Sequence, residues 1–341
     1  MKRFISLAEC SDNEIEEMLK LASALERAPD PTLLAGKVLG LIFLEPSVRT
    51  LASFQTAMAR LGGSSFVISP GRGSWGMEWR PGVTMDGVAA EHMNEAIPVL
   101  EQYADALGLR CFGRGVSVAE DLQDPLMSVV AGLAAKPLIN LESACGHPCQ
   151  ALADWKTLED LQIPRQGGRF VLSWANHPRP LPIAVPRSTL LMAARRGMDV
   201  TVLAPPGFEL PEEVMGEARA LAATSGGAVQ STSNREQAMQ GAQVLYAKSW
   251  RAPSAFGDDE REAALRAAVG DWCVDEPWFA GADPDAVFMH CLPVRRNVVV
   301  SDAVLDGPRS RVVHQAGNRL NAQMGVLAKL FSNNNGPEDP R

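Results

Sequence analysis

The chain has 341 residues, 46% of them hydrophobic and 21% charged, a length that suggests two ordinary domains and a composition that can bury a sizeable core without bias toward disorder. Its net charge of −8 argues against a broad nucleic-acid-binding face. No apolar run approaches the roughly 20 residues of a membrane span, and the opening residues soon turn acidic with no signal-peptide pattern. Six cysteines (Cys10, Cys111, Cys145, Cys149, Cys273, Cys291) lie scattered without Cys-x-x-Cys spacing, which argues against a zinc ribbon or disulfide scaffold and fits a reducing cytoplasm.

In chain order, Ser11 and Glu14 form a capping-box pattern, and Ile15, Met18, Leu19, Ala22 and Leu25 follow as one apolar stripe. That spacing predicts a surface helix over 11–27. The nearly continuous apolar run 37–44 reads as a strand buried on both faces of a parallel sheet. A helix is expected over 50–61, stopped at Gly62-Gly63, then a strand at 65–68. There follow a helix at 91–106 containing Pro98, a strand at 107–112, a helix at 119–134 and a strand at 137–140. A long helix from 148 to about 161 precedes the break Pro164–Gly168. The alternation then restarts: strand 169–173, helix 187–196, and strands at 199–203, 244–247 and 286–290, before a C-terminal helix over 318–331. Such alternation implies βαβ units. The expected fold is α/β: two doubly wound parallel-sheet domains joined by long interdomain helices. The boundaries are placed at 1–150 and 151–317, with helix 318–331 returning to the first domain. Residues 332–341 are read as a polar, disordered tail.

The first chemical candidate is a decoy. Gly71-Arg-Gly-Ser-Trp-Gly76 fits G-x-G-x-x-G, but Met-Glu-Trp-Arg-Pro81 follows, whereas a dinucleotide fingerprint must open a helix. A Gly-rich mobile loop fits better than a nicotinamide site. The second is Glu45-Pro-Ser-Val-Arg-Thr50, between a strand and a helix, where unpaired N–H groups, hydroxyls and a guanidinium can hold phosphate. The same residues also describe a helix cap with a surface arginine. The third is Gly146-His147-Pro-Cys-Gln150 at the end of the first sheet, where ligands bind in open α/β folds; a capping histidine is the alternative. The fourth is Phe288-Met-His-Cys-Leu-Pro-Val-Arg-Arg296, whose paired arginines at a strand end suit a small anion. Cys291 could equally be an inert buried thiol. Lys248, at another strand end, and Arg319, at a helix start, read alike as ligand contacts or surface cations.

Together these segments resemble the aspartate/ornithine carbamoyltransferase family. Ser47-Val-Arg-Thr50 is similar to its carbamoyl-phosphate motif, His147-Pro-Cys-Gln150 to its H-P-x-Q motif, and His290-Cys-Leu-Pro293 to the H-C-L-P of its ornithine branch. The motifs stand in the family's order and spacing over about 40–325. The S-M-G loop of ordinary ornithine enzymes is missing. Trp75, Met85-Asp-Gly87, Glu91-His92, Trp174–Leu181 and Tyr246–Trp250 instead resemble the branch acting on N-acylated ornithine. Two departures stand out: Leu51 replaces the second arginine of S-x-R-T-R, and Gly317-Asn-Arg319 stands for E-N-R.

The resemblance implies carbamoyl transfer from carbamoyl phosphate to the δ-amine of an acylated ornithine in arginine biosynthesis, without cofactor or metal. It implies a homotrimer with shared active sites, small-molecule substrates only, and no nucleic-acid or membrane partner. By the same resemblance Ser47, Val48 (through its backbone), Arg49, Thr50, a neighbour's Trp75 and Arg110 hold phosphate, while His147, Gln150 and Arg319 polarise the carbamoyl group. Glu142, His177, Lys248, Cys291, Leu292 and Arg295 face the acylornithine, and His147, Gln150, Cys291 and Arg319 form the catalytic set. Acetyl-type enzymes carry a glutamate where Ala90 stands and a lysine where Val299 stands; succinyl-type enzymes are apolar at both. A glutamate would repel succinate's free carboxylate, so Ala90 favours N-succinyl-L-ornithine. N-acetyl-L-ornithine is the alternative, followed by a silent carbamoyl-phosphate-binding paralogue, to which Leu51 points.

Overall fold

The computed structural model describes residues 1–332. The expected polar tail lies outside them, apart from Ser332, which ends the last helix. The chain divides into two compact units: 1–113, 123–152 and the segment from Arg319 onward form the first, and 114–122 with 153–318 the second. The divisions at 152/153 and 318/319 fall inside helices rather than loops.

The first unit begins with a two-residue strand, β1 (Arg3–Phe4), and helix α1 (Asp12–Arg27). The capping box at α1 forms: Ser11 accepts from the Glu14 N–H at 3.3 Å, and the Glu14 carboxylate accepts from the Ser11 N–H at 2.9 Å. Then come β2 (Val38–Phe43), α2 (Val48–Arg60) and β3 (Ser64–Ile68). The glycine-rich segment next holds a small parallel ribbon, β4 (Gly76–Glu78) with β5 (Ala89–His92). Residues 71–73 before it form a turn, and only the last glycine of the motif enters a strand. This agrees with rejecting a dinucleotide site, because Gly76 opens a strand and not a helix. Helix α3 (Met93–Tyr103), capped by the His92 ring, and β6 (Ala106–Arg110) follow.

The helix expected over 119–134 is two helices: α4 (Val118–Leu122), which belongs to the second unit, and α5 (Pro125–Leu133). Pro125 at the start of α5 cannot continue α4, and Asp124 before it takes a left-handed φ of 49°. Strand β7 (Leu138–Glu142) and helix α6 (Pro148–Asp160) complete this stretch. The sheet order is β1-β7-β6-β2-β3, all parallel.

The second unit contains β8 (Arg169–Trp174), α7 (Ala184–Arg195), β9 (Asp199–Leu203), α8 (Glu212–Ser225), β10 (Ala228–Thr232), α9 (Arg235–Met239), β11 (Val244–Lys248), α10 (Asp259–Val269), β12 (Val287–Met289) and α11 (Asp302–Leu305). Its parallel order is β10-β9-β8-β11-β12. Helix α12 (Val312–Ser332) closes the chain. Both sheets are doubly wound, so in each the strand order reverses once: between β2 and β6 in the first, between β8 and β11 in the second. That reversal opens a crevice at the carboxyl ends of the strands. Among the described residues no helix is long and apolar enough to cross a membrane.

Two glycines of α12 play opposite parts. A Cβ on Gly325 would sit 2.4 Å from the Met18 carbonyl oxygen and 3.0 Å from the Ala22 nitrogen of α1, so this glycine permits the close packing of α1 and α12. A Cβ on Gly317 meets nothing within 4 Å. Gly317→Ala is therefore expected to stabilise the protein by about 0.5–1 kcal/mol through helix propensity. Gly325→Ala should destabilise it by about 1–3 kcal/mol, as overpacking does. Urea midpoints of the two variants against wild type check both signs.

Candidate active site

The first unit gathers its chemistry at the reversal between β2 and β6. Ser47 caps α2, accepting from the Thr50 N–H at 3.2 Å and donating to the Thr50 hydroxyl at 3.0 Å. The helix thus starts at Val48, whose side chain points into solvent, leaving the first-turn N–H groups at the strand end. Arg319 arrives from α12, and its Nη2 donates to the Thr50 hydroxyl at 2.6 Å, a contact 269 residues apart in sequence. Arg110 ends β6 and is paired to Glu142, the last residue of β7; the same Glu142 oxygen lies 3.6 Å from His147 Nε2. Gln150 follows His147 on the first turn of α6, its N–H donating to the His147 carbonyl at 3.0 Å.

Arg110, His147, Gln150, Thr50 and Arg319 are all buried, and Arg49 is half-buried. Burial is the largest influence on Arg319 and pushes its guanidinium below its usual value; Arg49 and Arg110 nearby push the same way, and Glu142 opposes them. The Nε donors of Arg110 and Arg319 are buried without a hydrogen-bond partner. The cluster therefore carries more desolvated positive charge than Glu142 can balance, and unused donors besides. That is the donor set for a small, doubly charged anion with a planar or carbonyl-bearing end.

The turn bearing Glu142 and His147 is braced by residues that the sequence did not single out. Asp124 accepts from the Ser143 hydroxyl and, at 3.3 Å, from the Ala144 N–H. Asn140 donates to the Ser143 hydroxyl at 2.9 Å and to the Ile5 carbonyl at 3.0 Å. Nothing in the local pattern distinguishes Asn140 from an ordinary strand end, or Asp124 from a turn residue before proline. Trp75 lies just before β4, 60% exposed, with its indole N–H donating to Glu91 on β5 at 2.6 Å. Ala90 is exposed on β5 between them, and Leu51 is half-buried on α2.

In the second unit the polar residues gather at the ends of β8, β11 and β12. His177 follows β8; its Nε2 accepts from Arg295 Nε at 3.2 Å, and its Nδ1 lies 2.9 Å from the Arg179 carbonyl. The Arg179 N–H also donates to Nδ1, at 3.1 Å, so the ring is held at both nitrogens. Burial is the main cause that pushes the imidazole below its ordinary value; the Arg179 backbone opposes this, while Lys248, Arg295 and Arg266 reinforce it. The ring is thus neutral at pH 7. Lys248 ends β11. The two adjacent arginines separate in role, since Arg296 is held by Asp302 and Asp306 at 2.8 and 2.6 Å while Arg295 faces His177.

Cys291 is buried and Leu292 takes a left-handed φ of 55°, a conformation that a branched residue holds only where its surroundings enforce it. The enforcing contacts are visible. The Leu292 N–H donates to His290 Nδ1 at 2.9 Å, the His290 N–H to Gln315 at 2.9 Å, and Gln315 to Asp154 at 2.7 Å. Val299 is 1% exposed and packs in the core of this unit beside Val274 and Val300. Ala90, by contrast, is exposed. Among the described residues no three of His, Cys, Asp and Glu gather as metal ligands.

Residues 2–160 match the aspartate/ornithine carbamoyltransferase carbamoyl-P binding domain, and residues 184–330 match the Asp/Orn binding domain of the same family. The chain belongs to the aspartate/ornithine carbamoyltransferase family. It is 38% identical to the N-acetylornithine carbamoyltransferase of Xanthomonas campestris pv. campestris, covering 97% of this chain and 98% of that one. It is 34% identical to the N-succinylornithine carbamoyltransferase of Bacteroides thetaiotaomicron over 97% of this chain and 99% of the relative. A glutamate-to-alanine variant of N-acetyl-L-ornithine transcarbamylase, complexed with carbamyl phosphate and N-succinyl-L-norvaline, superposes with a TM-score of 0.93 at 39% identity, covering 97% of this chain and all of that one. These likenesses set the chain in the N-acylornithine branch of the carbamoyltransferase family.

The buried thiol within the His147–Gln150 motif gives a direct probe of this packing. Cys149 is fully buried, and burial pushes its thiol up to about 12, against the pull of Arg319. At pH 8 roughly one part in ten thousand is thiolate, and only thiolate alkylates. Native protein treated with iodoacetamide at pH 8 is expected to modify Cys273, the half-exposed cysteine, and to leave Cys149 untouched until denaturant is added. Peptide mass mapping reads the order.

Proposed function

We propose that this carbamoyltransferase moves the carbamoyl group of carbamoyl phosphate to the δ-amine of an N-acylated L-ornithine, with N-succinyl-L-ornithine preferred, giving N-acyl-L-citrulline and phosphate. The observation that carries the reading is the cluster of Arg49 on the first turn of α2, Arg110 at the end of β6, His147 just before α6 and the buried Arg319 of α12, in a chain whose family binds carbamoyl phosphate at this domain. Ser47, Thr50, Arg49 and the Val48 N–H receive the phosphate, with Arg110. His147, Gln150 and Arg319 donate to the carbamoyl oxygen. The uncharged amine attacks the carbonyl carbon, the C–N bond forms, and the C–O bond to phosphate breaks. The amine proton leaves with phosphate, so the products are a urea and a phosphate dianion. Fixed donors stabilise the negative charge that develops on the carbonyl oxygen, each such donor contributing roughly 10²–10³ in rate, and orientation of the two reactants contributes further.

The neutral His177, with Lys248, Arg295 and the Cys291-Leu292 turn, receives the acylornithine, the cations facing its carboxylate. Glu142 is assigned to the acylornithine by resemblance, and it sits beside Arg110 and His147, where it can meet the incoming amine. The succinyl preference rests on Ala90. A glutamate-to-alanine variant of the acetyl enzyme is complexed with a succinylated norvaline, and this chain has alanine where the resemblance places the acetyl-type glutamate. Overall identity leans the other way, 38% to an acetyl enzyme against 34% to a succinyl enzyme, which supports N-acetyl-L-ornithine as the second reading. Pocket charge outweighs overall identity in choosing a substrate, because one like charge discriminates by more than a distributed background of neutral changes. The enzyme acts as a homotrimer in the cytoplasm, within arginine biosynthesis, with Trp75 reaching a neighbouring subunit. The exposed Trp75, Met85 and Val88 of the 75–92 segment supply apolar surface for that contact.

Colorimetric ureido-product formation with ornithine, N-acetylornithine and N-succinylornithine in parallel tests the assignment. Activity should be at least about tenfold higher in kcat/KM for the succinyl compound, and Ala90→Glu should reverse the preference by a similar factor. Activity with free ornithine alone would remove the branch assignment, and no product from folded protein would leave the silent paralogue. Light scattering at micromolar concentration should give the mass of three chains.

A further inference from the structure

Helix α10 carries a buried ion pair outside the candidate site. Glu262 and Arg266, one turn apart, are both buried, and Arg266 Nε donates to Glu262 at 2.7 Å. The rest of the guanidinium is spent on two loops. Arg266 Nη1 donates to the His177 carbonyl and to the Ser249 hydroxyl, each at 3.0 Å, and Nη2 donates to the Trp250 carbonyl at 2.9 Å. Its flat face lies 5.3 Å from the Trp174 ring and 5.4 Å from the Phe208 ring. Behind it, the second Glu262 oxygen accepts from the Ala252 N–H at 2.9 Å.

An ion pair that served stability alone would gain nothing from this arrangement, since well-packed apolar residues usually replace a buried pair without loss. The rigid fork of donors is suited instead to holding several acceptors at fixed spacing. The acceptors here belong to the loop after β8, at the residue that bears His177, and to the loop after β11, one and two residues beyond Lys248. The two loops flank the reversal of strand order in this sheet. We propose that Arg266, oriented by Glu262, is a positioning residue that sets the distance between His177 and Lys248 and thereby the affinity for the acylornithine. The role rests on the carbamoyl-transfer reading above. Arg266 itself touches no substrate, so its influence falls on the second substrate and leaves carbamoyl phosphate, held by the first unit, unaffected.

The test compares Arg266→Lys, which keeps the charge but loses the fork, with Ser249→Ala, which removes one of the three loop contacts. Arg266→Lys is expected to raise the KM for N-acylornithine about tenfold and to leave that for carbamoyl phosphate within about twofold, the size of effect that loss of a charged hydrogen bond gives. Ser249→Ala should raise the same KM about threefold. Amide hydrogen exchange should quicken at 175–181 and 249–252 in both variants, with β9 and α8 unchanged. Both KM values rising together, a lowered unfolding midpoint with neither KM moved, or faster exchange spread over the whole second unit would overturn the proposal. If Arg266→Lys does not fold, an unchanged KM and unchanged exchange in Ser249→Ala overturn it equally. If the wild-type protein transfers no carbamoyl group, the function reading fails by itself, and exchange confined to the two loops still decides whether Arg266 positions them.

Discussion

Desolvated positive charge is the constraint around which the first unit is arranged. Arg110 and Arg319 are taken out of water beside the buried His147, and the one carboxylate among them, Glu142, pairs with Arg110 and lies 3.6 Å from His147. Leaving such groups underpaired is costly, and a chain free to relax would swing them into solvent. It does not relax because each is held from behind. Ser47 and Thr50 fix the helix end that Arg319 meets, and Asp124, Ser143 and Asn140 lock the turn that carries Glu142 and His147. The unfavourable term is the reservoir from which binding of a dianion draws, because the anion restores the charge balance that folding leaves incomplete.

The second unit solves a different problem with the same topology. Its ligand residues sit on three separate loops, after β8, β11 and β12, and loops alone hold side chains loosely. The compensation is buried hydrogen bonding in two layers: Arg266 behind the first two loops, and the Asp154–Gln315–His290 chain behind the third. The left-handed Leu292 is tolerated because its N–H is captured by His290. Electrostatics in this unit is gentler than in the first, since His177 is neutral and takes up part of Arg295's donor capacity.

What the sequence revealed followed from how local each signal is. Strands such as 38–43 and 169–174 are buried on both faces and read as apolar runs. The α1 capping box lies within four residues, so it too was plain. Strand β10, by contrast, sits at a sheet edge with mostly exposed Gln, Ser and Thr, and no periodicity marks it. The break between α4 and α5 was written in Asp124-Pro125 but masked by the helical spacing on either side. The start of α12 was misplaced by six residues because Asn318 resembles a cap. For the site, the motif residues stood out at strand ends and helix starts, and the family resemblance supplied their roles. Their convergence depends on strand order, which no local pattern encodes. Arg266, Gln315 and Asp154 were invisible for a further reason: a charged or amide side chain on a helix reads as a solvated face, and only burial shows otherwise.

The interleaved chain path has a consequence for synthesis. The first unit is not complete when its strands are, because α12 must pack on α1 through Gly325 and deliver Arg319 to Thr50. A ribosome emits the chain from the N-terminus, and domains ordinarily fold as they emerge. Here the contacts of α12 with α1 and Thr50 form only after residues 319–325 have been made. Until then the face of α1 at Met18 and Ala22 lacks its partner helix. The pause exposes a nascent chain to chaperones and to proteolysis for longer than its sheet topology alone would suggest, and it means that the anion cradle exists only as a late product of folding.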